Sequence, residues 1–295
     1  MAERGCFEDL FYSGPDGLRL HARIYGPELD GMPVVCLPGL SRNCRDFHHL
    51  ALHLSGREAG PRKVIAFDYR GRGQSARDPD WRNYEVGTEA ADIVAGLIVA
   101  GIEQGFFIGT SRGGLIIHLL AVTHPTLVRA AVLNDIGPVV EGEGLAQIRT
   151  YLERSPKPRN FAEAVAIQRG AHGFAFPALD AADWERMARA IYRNCEDVPV
   201  ADFDPALLRQ FSSLDLGTPL PTLWSHFEAM AGMPLLAIRG ENSKLLTAAT
   251  LSEMSRRHPD CATLTVGGQG HAPLLETGDL PDTIARFFDR AGRDI

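Results

Sequence analysis

The chain has 295 residues, 45% hydrophobic and 23% charged, with a formal net charge of −7. This is ordinary globular composition, and a chain of that length buries roughly three quarters of its unfolded surface, so no disulfide or metal staple is needed to hold a core. The acidic balance argues against nucleic acid as a partner, and no apolar run approaches the about 18 residues of a membrane span.

The N-terminal stretch MAERGCFEDLFYSG carries Glu3, Glu8 and Asp9 with no apolar core, and it does not read as a signal peptide. Residues 6–13 and 18–25 alternate apolar and polar and meet at Ser-Gly-Pro-Asp-Gly, which predicts an antiparallel hairpin. Short apolar runs follow at 34–37, 64–67, 106–108 and 130–133, separated by helix-like text at 46–57, 86–100 and 112–123. Continuous apolar strands alternating with helices predict a parallel sheet buried on both faces. From 138 to 228 the text turns helical (144–153, 161–170, 183–195, 204–211) and rich in proline. Strand text returns at 235–238 and 262–266, with helices at 247–258 and 281–290. The predicted class is α/β: a mostly parallel central sheet flanked by helices, with a helical cap insertion. Its parts are core 1–137, cap 138–228 and core 229–295. A separate second domain is disfavoured, because the first half alone leaves the sheet incomplete. No repeat or low-complexity segment interrupts this plan.

Cys6, Cys36, Cys44, Cys195 and Cys261 are scattered, odd in number and free of any CxxC pair, which predicts a reduced, cytoplasmic setting.

The most informative stretch is Phe106–Gly114, FFIGTSRGG, where a buried strand turns at once into a helix. Glycines two before and two after Ser111 allow a sharp turn that presents the serine oxygen above the sheet. The serine also stands at a helix N-terminus, where free N–H groups favour negative charge. A serine N-cap in a tight turn is the plainer alternative.

Here the chain resembles the α/β-hydrolase superfamily. Four stretches spread along it carry the resemblance: LPGLSRN (37–43), DYRGRGQS (68–75), the turn at 109–113 and GGQGHAPLLE (267–276). The resemblance implies a nucleophilic Ser111 with a histidine base. Among ten histidines, His271 follows a strand in a glycine-rich loop near the C-terminus and fits the order serine, acid, histidine. His49 and His53 have i, i+4 spacing, but the glutamate of an HExxH motif is absent, so no metal is expected. Two backbone N–H groups should receive the oxyanion, one from Arg112, which follows the serine, and one from Leu40 in the loop after the third strand. The family often has histidine where this chain has Pro38, which matters little because the donor is backbone. GRGQSA (71–76) lacks a βαβ acidic partner and does not read as a dinucleotide site.

The acid is the open point. In most of the superfamily it follows the strand ending at Ile238-Arg239, often at the place of Ser243 or Lys244. Glu241 is the one carboxylate in that loop and comes early. Asp135, at the end of the strand that follows the elbow helix, matches members that take their acid from that strand. Parallel strands lie about 4.8 Å apart, so its carboxylate can face the same histidine. Asp135, Glu241 and a dyad without an acid therefore stand as alternatives, with Asp135 preferred.

The expected function is a serine hydrolase of a small ester, lactone or amide, with Ser111, His271 and Asp135 as triad and no cofactor. Lys244 and the cap arginines Arg149, Arg169, Arg186 and Arg193 are possible contacts to an acidic substrate, with surface solvation the preferred reading of the arginines. Relatives with the same triad and cap also cleave carbon–carbon bonds of vinylogous diketones, and a ligand receptor on this fold is a further alternative. Epoxide and haloalkane hydrolysis are disfavoured, because those relatives have aspartate at the place of Ser111. Sequence carries no signal for the substrate or the oligomeric state.

Overall fold

The computed structural model describes residues 6–212, 218 and 220–293. Residues 1–5, which open the stretch judged unlike a signal peptide, lie outside these. The chain opens with β1 (Glu8–Ser13) and β2 (Arg19–Tyr25), paired antiparallel as the Ser-Gly-Pro-Asp-Gly turn requires. It continues through β3 (Val34–Leu37), α1 (His48–Gly56), β4 (Val64–Asp68), α2 (Val86–Val99), β5 (Gly105–Thr110), α3 (Arg112–Thr123) and β6 (Val128–Asn134). Each apolar run became a strand, longer than its apolar text by at most two residues at either end.

Between β6 and the next sheet strand lie α4 (Gly142–Arg154), α5 (Phe161–His172) and α6 (Ala181–Ile191). A hairpin of β7 (Tyr192–Cys195) and β8 (Val198–Ala201) follows, then α7 (Leu207–Ser212) and α8 (Trp224–Glu228). The sheet is completed by β9 (Leu235–Gly240), α9 (Ala248–Arg257), β10 (Cys261–Val266) and α10 (Leu280–Ala291).

The β7–β8 hairpin corrects one expectation, a helix running on to Cys195. Glu196 and Asp197 both adopt positive φ, 49° and 67°, the backbone of a tight turn whose twist suits a hairpin. Val198-Pro199-Val200 then pairs with the extended 192–195 segment. Helical periodicity in Trp184, Met187 and Ala188 masked the change.

Among the described residues, eight strands form one sheet in the order β1-β2-β4-β3-β5-β6-β9-β10, parallel from β4 onward. The alternation of side chains divides the core cleanly. Val35, Leu37, Phe67, Phe107, Leu133 and Ala237 face one layer, with α2, α3 and α9. Val34, Cys36, Ala66, Phe106, Val132 and Ile238 face the other, with α1 and α10. Both faces are dry, which is why these strands read as unbroken apolar runs.

The topology also fixes where a ligand can sit. From β3 the chain crosses to β4 on one side, then returns to β5 on the other. The loops after β3 and β5 diverge there, opening a crevice at the carboxyl ends of the strands. Ser111 and Leu40 stand at that switch point.

Candidate active site

Ser111 sits between β5 and α3 with φ 51° and ψ −109°. A non-glycine residue at positive φ costs about 1–3 kcal/mol and persists only where its surroundings force it. Here the glycines permit it. A Cβ on Gly113 would lie 2.1 Å from the Leu37 carbonyl oxygen, and one on Gly109 would lie 2.6 Å from Gly114 N. The Ser111 N–H donates to the Asn134 carbonyl at 3.0 Å, tying the turn to the end of β6.

His271 arrives on the loop after β10. Its Nε2 is 2.9 Å from Ser111 Oγ, and its Nδ1 is 2.7 Å from Asp135 Oδ2. With Nδ1–H donating to the carboxylate, Nε2 is left to accept from the serine hydroxyl. Asp135 is fully buried at the end of β6, also at positive φ (54°). Its Oδ1 accepts from Gly240 N–H at 2.8 Å, and its Oδ2 accepts from Ser243 Oγ at 2.5 Å. A buried carboxylate needs such donors, because unpaired it would lose its hydration without return.

Ser243 is the residue that sequence reasoning missed. Its hydroxyl also accepts from Leu245 N and Leu246 N, at 3.1 and 3.3 Å, so the loop is wound around one oxygen. Nothing in IRGENSKLLT signals this, because the partner lies 108 residues earlier. Glu241 is exposed and does not hydrogen-bond His271. Its Oε2 accepts from Gly268 N–H at 2.7 Å and so braces the loop that carries the histidine.

The loop after β3 is fixed from behind. Tyr69 OH donates to the Pro38 carbonyl at 3.1 Å, and Arg72 Nε donates to the Leu40 carbonyl at 2.8 Å. A Cβ on Gly39 would be 4.0 Å from Ser111 Cβ, so this loop borders the serine. Arg112 is the first residue of α3, and its N–H is one of the helix's unpaired N-terminal donors. The fully buried carboxylate of Glu89 joins the two sides: Oε1 accepts from Arg72 Nη1 at 2.8 Å, and Oε2 accepts from Arg112 Nε.

Ser111, Leu40 and His271 open into a cavity of about 1590 Å³. Its far wall comes from the segment between β6 and β9, including Tyr151, Phe176 and Met187. That segment is tied to the sheet by polar contacts: Arg45 to Asp202 at 2.7 Å, Tyr84 OH to Asp204 at 2.6 Å, and Asn242 Nδ2 to the Ala175 carbonyl at 3.0 Å.

Comparison with known proteins agrees with this architecture. A family model described as alpha/beta hydrolase fold matches residues 32–277. The chain belongs to that family and is a hydrolase. The 3-hydroxybutyrate-oligomer hydrolase of Cupriavidus necator is 30% identical over 94% of this chain and 95% of its own. The 2-(acetamidomethylene)succinate hydrolase of Mesorhizobium japonicum is 30% identical over 79% of each. The crystal structure of an alpha/beta hydrolase from Novosphingobium aromaticivorans superposes with TM-score 0.89 at 37% identity, covering 98% of this chain and 99% of that one.

In this hydrolase, the cap arginines Arg149, Arg169 and Arg193 do not line the cavity, whereas Arg186 does. Arg169 is exposed on α5, while its neighbour Gln168 is buried and lines the wall, since successive helical residues are turned about 100° apart. Arg149 on α4 does not line the cavity either. Lys244 does, with Nζ 3.7 Å from Glu143 and the side chain 56% exposed. Arg42, absent from the sequence-based reading, lines it too.

Away from the cavity's serine, His21, Cys44 and Asp68 bring three metal-type ligand atoms within 4.8 Å, all buried. They already serve one another. Asp68 accepts from His21 at 2.7 Å, from Cys44 N at 2.7 Å and from Gln74 N at 2.9 Å, joining β2 and β4 to the loops beside them. Burial pushes the Cys44 thiol well above its usual range, so the sulfur stays protonated. Among the helices of the described residues, none is long and apolar enough to cross a membrane.

Proposed function

We propose that the chain is a serine hydrolase that cleaves a small carboxylic ester, lactone or amide through an acyl-enzyme on Ser111. The hydrogen-bonded line Ser111–His271–Asp135, at 2.9 and 2.7 Å, carries this reading. His271 Nε2 takes the serine proton as Oγ attacks the acyl carbon. The Leu40 and Arg112 N–H groups receive the oxyanion, a contribution of about 2.7–4 kcal/mol per donor in comparable sites. His271 then gives the proton to the leaving oxygen or nitrogen, and water, deprotonated by the same imidazole, releases the acid. Asp135 holds the Nδ1–H tautomer and stabilises the imidazolium. The steps use side chains, backbone amides and water.

Residues 138–228 act as a cap in this reading, with cores 1–137 and 229–295 beneath it. The substrate is a small molecule that enters between cap and sheet. Ester is the favoured bond, in keeping with a relative whose name specifies oligomers of a hydroxy acid. The test is labelling of Ser111 by a fluorophosphonate together with turnover of short-chain 4-nitrophenyl esters. Rapid labelling with ester turnover supports the reading. Labelling with turnover of dienoates alone points to the carbon–carbon hydrolase, and ligand binding without labelling points to a receptor.

A further inference from the structure

Resting on the acyl-enzyme reading of Ser111, we propose that Arg42 binds a carboxylate of the substrate, so that the enzyme selects esters bearing a free acid group.

Three observations carry this. The first is position. Arg42 follows Leu40 by two residues, and its N–H donates to the Gly39 carbonyl at 3.1 Å. A Cβ placed on Gly39 would lie 3.4 Å from Arg42 Cγ and 4.0 Å from Ser111 Cβ, so the arginine stem starts beside the nucleophile.

The second is the geometry of the fork. Asp46, one helical turn on, accepts from Arg42 Nε at 2.8 Å and from Nη2 at 2.6 Å. This holds one edge of the guanidinium. The opposite edge, Nη1 with the second N–H of Nη2, has no partner among the described residues, and the side chain is 23% exposed on the cavity wall. A guanidinium edge of two parallel N–H groups matches a carboxylate bidentately. Neighbouring cations are engaged otherwise. Arg45 is spent on Asp202 and two backbone carbonyls, and Arg186 is shared between Asp183 and Glu276.

The third is charge. The chain carries −7, yet its cavity wall gathers nine Lys and Arg against four Asp and Glu. Glu276, the other carboxyl near Arg42, is pushed up to about 7 by burial and by Asp46. Cationic side chains therefore outnumber anionic ones along the wall that Arg42 lines. Clefts of one sign concentrate oppositely charged substrates.

The test pairs two esters of equal length: mono-4-nitrophenyl glutarate, which has a free carboxylate, and 4-nitrophenyl methyl glutarate, which has none. Wild type is expected to prefer the acid by at least about tenfold in kcat/KM. In Arg42→Gln the loss on the acid should exceed the loss on the methyl ester by on the order of 30-fold or more, with Arg42→Lys recovering part of it. Equal losses on both esters, or a wild type that prefers the methyl ester, overturn the proposal. Fluorophosphonate labelling of each variant reports whether the fold and Ser111 are intact. Calorimetry with glutarate alone separates the two readings: binding by wild type that is lost in Arg42→Gln supports the carboxylate site even if Ser111 is unreactive. Equal binding, or none by wild type, overturns it.

Discussion

The hydroxyl of Ser243 donates to the carboxylate of Asp135 across 2.5 Å, joining the loop after β9 to the end of β6. The loop where the family resemblance places the acid here supplies a donor to a carboxylate from the neighbouring strand. Removing that donor leaves a fully buried carboxylate short of one partner. Ser243→Ala is expected to lower stability by about 1–3 kcal/mol. It should also lower kcat roughly tenfold with little change in KM, because the hydroxyl fixes Asp135 rather than the substrate. Urea denaturation and steady-state kinetics check both, and wild-type values in the variant sink the idea.

Asp135 and Glu241 can be separated directly. Asp135→Asn keeps the shape of the side chain but no longer favours the Nδ1–H tautomer of His271, and a fall in kcat on the order of 10⁴ is expected. Glu241→Gln should stay within a few-fold of wild type, because among the described residues its carboxylate accepts only a surface-side bond from Gly268 N–H. Rates of Ser111 labelling by fluorophosphonate give the comparison. The reverse ranking would move the acid to Glu241.

Glu89 is a buried link between the two sides of the proposed oxyanion site. Arg72, which holds the Leu40 carbonyl, and Arg112, whose N–H is proposed to receive the oxyanion, both end on this carboxylate. Glu89→Gln leaves the fully buried Arg72 and the mostly buried Arg112 without their anion and is expected to cost about 3–5 kcal/mol of stability. Affinity for a trifluoromethyl ketone, whose adduct carries the oxyanion, should fall in step with kcat, while KM changes little. An unchanged ketone affinity would confine Glu89 to a structural role.

Glu276 makes a prediction about pH. Burial first, then Asp46, pushes its carboxyl from 4.5 up to about 7, with Arg186 opposing. The folded chain therefore holds this proton more tightly than the unfolded chain does. Between those two values the unfolded state binds fewer protons, so this residue's contribution falls as pH rises through that window and is level above it. The loss at about pH 8 is at most about 3 kcal/mol. Glu276→Gln should flatten this part of the stability curve and gain on wild type at about pH 8 relative to about pH 5. Parallel curves for the two proteins in chemical denaturation would rule the shift out.

The parts of this protein that its sequence determined are local or periodic. The parallel strands were legible because a sheet buried on both faces requires unbroken apolar runs such as Val34–Leu37. The turn at Ser111 was legible because its glycines are demanded by backbone atoms within a few ångströms. Two features were beyond that reach. The extended stretch 192–201 hid behind helical spacing, since its turn depends on two non-glycine residues at positive φ. Which carboxylate meets His271 depended on β6 lying beside β9, a pairing between segments about a hundred residues apart. Only that pairing brings Asp135, Gly240 and Ser243 into one buried cluster. The same holds for the cavity wall: helical text predicted α4 and α5, but not which of their faces turns inward, so it could not tell that Tyr151 and Gln168 line the cavity while Arg149 and Arg169 do not. Such choices follow from packing between distant elements, and no local pattern encodes them.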